Sequence, residues 1–257
     1  MLTKITILTS LLFAILYPLC FWISHKEPLQ NNFHRFHTGL PTVVAGIMLI
    51  TGWNIFSPDI QKLLTIWFIL LLIFTAYYWR KSYPNPGMIS LPVLAGLYAF
   101  IYVHAFLCLP QTPLAILINI LGGLIFCISV FSMNLGHWYL NVHGLPMKHL
   151  KKAVYVFAAL LSLRLIWDIF YVMRVRVLYR EEWMPMSQFI FTMDGIFIFI
   201  AILFGTFFPL AALHFVKETI KLKNTQSATG ILYTILCGLL IGDMTYKYYL
   251  IKYGIYL

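Results

Sequence analysis

Four ionisable side chains stand inside apolar stretches of this sequence. They are Arg164 and Asp168 in one stretch, Asp194 at the start of the next, and Asp243 in the last. A charged side chain at the centre of a membrane helix costs about 2.5–3.5 kcal/mol on insertion scales. A charge kept at such a position indicates a partner or a task, so these four residues are the first candidates for chemistry.

Spacing predicts which of these charges form ion pairs. Arg164 and Asp168 are four residues apart, as are Asp243 and Lys247, so each pair lies on one face of a helix. Asp194 has no basic residue within helical reach on its own segment. It therefore pairs with Arg164 or another helix, or it stays protonated at neutral pH because burial disfavours the charged carboxylate.

Histidines give a second group of candidates. Seven of the eight are predicted to lie on one side of the membrane: His25, His34, His37, His137, His143, His149 and His214. Because imidazole binds haem iron and other metals, His37, His137 and His214, which enter the membrane on different helices, can hold a b-type haem. The alternative is that they are ordinary interfacial side chains.

The composition predicts the elements that carry these residues. Of 257 residues, 61% are hydrophobic and only 10% are charged, whereas about a quarter are charged in soluble domains. Eight windows reach the roughly 20 apolar residues of a spanning helix: 4–24, 38–57, 62–79, 89–109, 113–134, 151–173, 189–216 and 228–250. The sequence predicts an all-α polytopic bundle of about eight transmembrane helices with short loops, in one transmembrane domain over residues 1–257.

Two connections between these windows are longer than the others. They run from Asn134 to Leu150 and from Arg174 to Gln188. Long loops in a chain with little other soluble mass have room to bind a ligand.

The net charge of +10 reflects the ends of loops and not a basic soluble face, which disfavours nucleic-acid binding. Of the 18 Lys and Arg residues, ten fall on one predicted side, seven fall on the side of both termini, and Arg164 lies within a span. Cytoplasmic loops carry an excess of Lys and Arg. The distribution therefore favours both termini outside, and we expect a bacterial inner membrane protein.

The predicted topology gathers His104 with the buried charges in one layer of the outer leaflet. Quinol oxidation releases protons, which an Asp or His must accept, and the 17% aromatic content suits a flat apolar ring. We therefore expect a quinone site here. Its predicted proton-active residues are Asp194, His104, Asp168 and Arg164, and Asp243 and Tyr171 are predicted to bind the ring.

The predicted function is that of a membrane subunit of a respiratory-type electron-transfer complex, one component of a quinone-dependent oxidoreductase. In span count and small soluble mass the chain resembles the membrane subunits of the NrfD, DmsC and PsrC type, which implies a quinol-binding anchor without its own cofactor. The four cysteines lack iron–sulfur spacing, so electrons would leave through redox partner subunits or a haem.

Three alternatives remain open. The chain can be a b-type cytochrome with haem ligands near the cytoplasmic side, or a proton-coupled transporter. It can also be a non-redox structural or assembly subunit, in which the ion pairs only fasten helices together, since interior polar contacts stabilise membrane bundles.

Overall fold

The computed structural model describes residues 1–24, 29, 33–81, 85–142, 145 and 147–257. These residues are almost entirely helical, and the predicted all-α membrane bundle is confirmed. The helices are α1 Leu2–Ser24, α2 Phe33–Gly52, α3 Pro58–Trp79, α4 Pro86–Phe106, α5 Pro113–Asn141, α6 Lys148–Arg174, the short α7 Met186–Phe189, α8 Ile196–Lys221 and α9 Thr225–Tyr253.

Seven of the described helices are long and apolar enough to cross a membrane, namely α1, α3, α4, α5, α6, α8 and α9. The helix α2 has 20 residues and packs against α1 and α3, but it is not one of the seven. Its first turns carry His34, Arg35 and His37, which lower its mean hydropathy. The predicted count of about eight therefore corresponds to seven strongly apolar helices and one helix with a polar end.

Proline residues mark where several helices begin. The helices α3, α4 and α5 each start at a proline, whose missing N–H would have no partner in a first turn anyway. The residue before the proline caps two of them. The side chain of Asn85 accepts a hydrogen bond from the Gly87 N–H at 2.9 Å, and Thr112 accepts one from the Ala115 N–H at 3.2 Å.

The first helix forms the centre of the bundle. In its apolar window 72% of the residues are buried, the highest share among the seven helices. It packs against α2, α4, α5 and α9. The side chains of Thr9 and Tyr17 on α1 therefore reach other helices, where they bond Asp243 of α9 and His37 of α2.

The helix α8 is irregular in its middle. Residues Leu203–Phe207 form a π-helical turn directly before Pro209, whose ring displaces the carbonyl of the preceding turn. At this turn Gly205 meets Gly242 of α9, and a Cβ added to Gly242 would lie 2.2 Å from the Gly205 Cα. The bare backbones let α8 and α9 approach closely.

The segment from Arg174 to Gln188, predicted as a loop, contains an antiparallel hairpin. Its strands are β1 Arg176–Tyr179 and β2 Glu182–Pro185, and Tyr179 pairs with Glu182. After α9, Gly254 adopts a left-handed φ of 67°, and the chain turns back so that Leu257 is buried against α6.

Candidate functional site

Arg164 and Asp168 form the predicted ion pair on α6. The Arg164 Nε lies 3.2 Å from the Asp168 Oδ1, and both residues are buried. The guanidinium also donates to the main-chain oxygen of Ile118 at 3.3 Å and to that of Leu257. Arg164 is thus held by α5, α6 and the segment after α9 through three hydrogen bonds.

Two hydroxyl groups complete the surroundings of Asp168. Thr206 and Tyr246 each donate to the Asp168 Oδ2 at 2.8 Å, and their own oxygens lie 2.9 Å apart. The Arg164 guanidinium lies over the Tyr246 ring, 4.1 Å from its centroid. Thr206 and Tyr246 were not predicted as site residues. Thr and Tyr are common in membrane helices, and nothing in their spacing indicates which carboxylate they bond.

Asp243 and Lys247 form the second predicted ion pair. Both residues are buried, and the Lys247 ammonium contacts both carboxylate oxygens. Thr9 of α1 donates a hydrogen bond to the Asp243 Oδ2 at 3.2 Å. Thr9 was not predicted as a partner either, because it lies 234 residues from Asp243 along the chain.

The two ion pairs approach each other beside Gly122 of α5. A Cβ added to Gly122 would lie 3.5 Å from the Arg164 Nη1 and 3.7 Å from the Asp243 Oδ1. We call Arg164, Asp168, Asp243 and Lys247 the charged centre. It holds two acids and two bases, so its formal charge is balanced.

A cavity of about 390 Å³ lies between α1, α2, α5 and α9. Most of its lining is apolar, including Val44, Phe126 and Leu240, and its hydroxyl groups come from Thr6, Thr9 and Ser10. We call it the α1 cavity. Thr9 belongs to this cavity and also donates to Asp243, so the cavity adjoins the charged centre.

Of the three possibilities predicted for Asp194, pairing with Arg164 and a protonated state inside the membrane are wrong. Contact with another helix is found, since Tyr253 and Lys252 of α9 interact with it. Helix α8 begins only at Ile196, so Asp194 lies in the turn beside the β-hairpin. The Tyr179 hydroxyl donates to its carboxylate at 2.7 Å. This bond, assisted by a hydrogen bond from Tyr253 and by the charges of Lys252 and Arg180, holds the pKa of Asp194 below its usual range. Asp194 is therefore an ionised residue at the end of the bundle.

His104 and Tyr171, also predicted for the quinone site, have other surroundings. His104 is fully buried, with its Nδ1 3.4 Å from the Gln111 Nε2. Tyr171 packs against the rings of Trp167 and Tyr256. Within the described chain, neither residue lines the α1 cavity or has a hydrogen bond to the charged centre. The predicted single layer thus separates into distinct sites.

The three histidines predicted for a haem lie in different environments. His37 is buried, its Nδ1 lies 2.7 Å from the Tyr17 hydroxyl, and the Phe33 ring is 3.9 Å away between centroids. His137 and His214 are exposed. No group of three His, Cys, Asp or Glu suited to a metal occurs among the described residues; His25 and His143 lie outside them. His37 therefore differs in its surroundings from the two exposed histidines, and a haem between them stays a prediction.

No family model, no curated protein and no solved structure matches this chain.

Proposed function

We propose that this protein is a membrane subunit of an electron-transfer complex and binds a quinone or quinol in the α1 cavity. The observation that carries the proposal is the position of Thr9. Its side chain lines an apolar cavity and also donates to a buried ion-paired carboxylate. An apolar ligand with a protonatable head can use both features at once.

The cavity has the size and lining that such a ligand needs. Small-molecule sites usually measure about 300–1,000 Å³ and combine apolar walls with few polar groups. The α1 cavity, of about 390 Å³, falls in that range, and Phe126 offers an aromatic face. The hydroxyls of Thr6, Thr9 and Ser10 can bond a ring oxygen, while the apolar walls hold the ring.

The chemistry follows from the Thr9 hydrogen bond. When a quinol is oxidised to a quinone, it loses two electrons and two protons. The two electrons pass one at a time to a one-electron acceptor in a partner subunit. The two protons leave by one route: the Thr9 Oγ1 accepts the hydrogen of a ligand hydroxyl while its own hydrogen moves to the Asp243 Oδ2, and the second proton follows after Asp243 has released the first. Asp243 becomes a neutral carboxyl, and the assignment of the proton acceptor moves from Asp194 and His104 to Asp243.

Filling the cavity tests the proposal. Short-chain ubiquinone and menaquinone analogues would be titrated against the protein in nanodiscs, with tryptophan fluorescence as the readout. We expect Val44→Phe, which fills the cavity, and Thr9→Val, which removes the hydroxyl, to weaken binding at least about tenfold, equal to roughly 1.4 kcal/mol.

Matched controls identify a specific site. Val156→Phe adds the same bulk to a different groove, between α1, α5 and α6, and Asp194→Asn removes a charge that does not line the α1 cavity. Both variants should bind the analogues within about twofold of the wild type. Equal binding by the wild type and Val44→Phe, or no binding of either quinone class, would contradict the proposal.

A further inference from the structure

Two small cavities flank the charged centre, and each has a volume of about 20 Å³. Gly122, Arg164, Asp243 and Tyr246 line both of them. A cavity needs roughly 10–15 Å³ and two to four polar partners to hold a water molecule. Each cavity has sufficient volume, and Arg164, Asp243 and Tyr246 in its wall carry polar groups that can bond water.

Asn119 of α5 lines only one of the two cavities, and it gives independent evidence for a ligand there. Its side chain lines that cavity and is only 7% exposed. Its Nδ2 has no hydrogen-bond partner among the described residues. A buried N–H without an acceptor costs about 1–3 kcal/mol, so the amide indicates an acceptor in the cavity.

The gap between the two ion pairs has room for such an acceptor. Gly122 has no side chain, and an added Cβ would lie 3.5 Å from the Arg164 Nη1 and 3.7 Å from the Asp243 Oδ1. Tyr246 borders the same space and donates to Asp168 at 2.8 Å. A water beside Gly122 would lie next to the Asp243 carboxylate and the Arg164 guanidinium, in a space that Tyr246 also lines.

We propose that both small cavities hold water, and that one of these waters and Tyr246 pass a proton between Asp243 and Asp168. In this step protonated Asp243 gives its hydrogen to the water, and the water gives a hydrogen to the Tyr246 oxygen. Tyr246 in turn gives its own hydrogen to the Asp168 Oδ2. Asp243 ends as a carboxylate and Asp168 as a carboxyl, with water and phenol restored.

This inference deepens the proposed function, because Asp243 is the acceptor of the ligand proton there, but its test needs no quinone. Infrared difference spectra of the full chain in nanodiscs would be recorded after a jump to acidic pH. Asp243→Asn and Asp168→Asn assign the carboxyl bands, and water containing ¹⁸O identifies bands of internal water. We expect two carboxyl bands and at least one band sensitive to ¹⁸O.

The decisive variant is Tyr246→Phe, which keeps the ring under Arg164 and removes only the hydroxyl. Protonation of Asp168 should slow at least about tenfold in this variant, while Asp243 responds at the wild-type rate. Tyr249→Phe is the matched control, since the Tyr249 hydroxyl donates to the main chain of Asp194 instead. It should leave both bands unchanged.

A second variant covers the case in which Tyr246→Phe does not fold. Gly122→Ala adds a methyl group at ordinary contact distance from its neighbours, so the bundle tolerates it while the water position is occupied. It should remove the ¹⁸O-sensitive band and slow Asp168 alone. A single carboxyl band, no water band, or wild-type rates in the assayed variants would overturn the inference. Intact bands without quinone affinity would contradict only the proposed function.

Discussion

Hydroxyl groups from other helices and strands form hydrogen bonds to the carboxylates of Asp168, Asp194 and Asp243. Thr9 bonds Asp243, Thr206 and Tyr246 bond Asp168, and Tyr179 bonds Asp194. Spacing along one helix was enough to predict the Arg164–Asp168 and Asp243–Lys247 pairs. The hydroxyl partners lie 15 to 234 residues away, so only the tertiary fold brings them to the carboxylates.

The bond between Tyr179 and Asp194 predicts a pH dependence of the hairpin. It lowers the pKa of Asp194 and raises that of Tyr179. The lowered pKa of Asp194 stabilises the folded state above the pKa that this residue has in the unfolded chain, about 4. This stability is lost as the pH falls through the pKa of Asp194 in the folded protein. The raised pKa of Tyr179 stabilises the folded state below the pKa of an unfolded tyrosine, about 10. This stability is lost as the pH rises through the pKa of Tyr179 in the folded protein.

We therefore expect amide protection in β1 and β2 to stay constant between about pH 5 and pH 9 and to decline outside that range. Hydrogen exchange, corrected for intrinsic rates, measures it. Tyr179→Phe should lower the plateau and remove the alkaline decline. Wild-type protection that follows the same curve as Tyr179→Phe would show that the bond does not hold the hairpin.

At the scale of elements, sequence signals predicted the helices better than the hairpin. Each long apolar window overlaps a described helix. The hairpin turn carries Arg180 and Glu181, both with positive φ, at 51° and 70°. Such turns usually contain Asn or Gly, so the sequence lacks the signal that would have predicted β1 and β2.

The contact between α8 and α9 predicts opposite effects for two glycines on one helix. A Cβ on Gly242 would lie 2.2 Å from the Gly205 Cα, whereas a Cβ on Gly230 meets nothing within 4 Å. We expect Gly242→Ala to destabilise the bundle by about 3 kcal/mol or more, because two backbones must separate. Gly230→Ala should be stabilising by up to about 1 kcal/mol, since alanine favours helix.

Thermal unfolding of both variants in the same detergent measures the difference. The two substitutions are chemically identical and lie on α9, so the helix propensity of alanine cancels in the comparison. Equal melting temperatures for the two variants would mean that the close backbone contact contributes little to stability.

At the scale of the whole molecule, the structure supports an integral membrane protein whose apolar helices contact lipid. The outside location of both termini remains a prediction from the Lys and Arg distribution. Native cysteines can test it. Cys108 is exposed in the connection between α4 and α5, on the predicted outer side, whereas Cys237 is exposed along the middle of α9.

A membrane-impermeant maleimide should therefore label Cys108 in right-side-out vesicles and leave Cys237, which faces lipid, unlabelled. Cys108→Ser provides the control and should abolish the signal. Labelling of Cys108 only in inverted vesicles would reverse the predicted orientation without changing the bundle.

The sequence by itself determined the membrane class, the helical elements and the two ion pairs, because these depend on local composition and on the spacing of residues along one helix. The tertiary structure decided which of these charges share a site. It placed Asp243 beside Thr9 and the α1 cavity, joined Arg164 and Asp168 to Thr206 and Tyr246, and left Asp194 at the end of the bundle. The reason is that depth along a helix is set by residue number, whereas the direction and neighbours of a side chain are set by how separate helices pack.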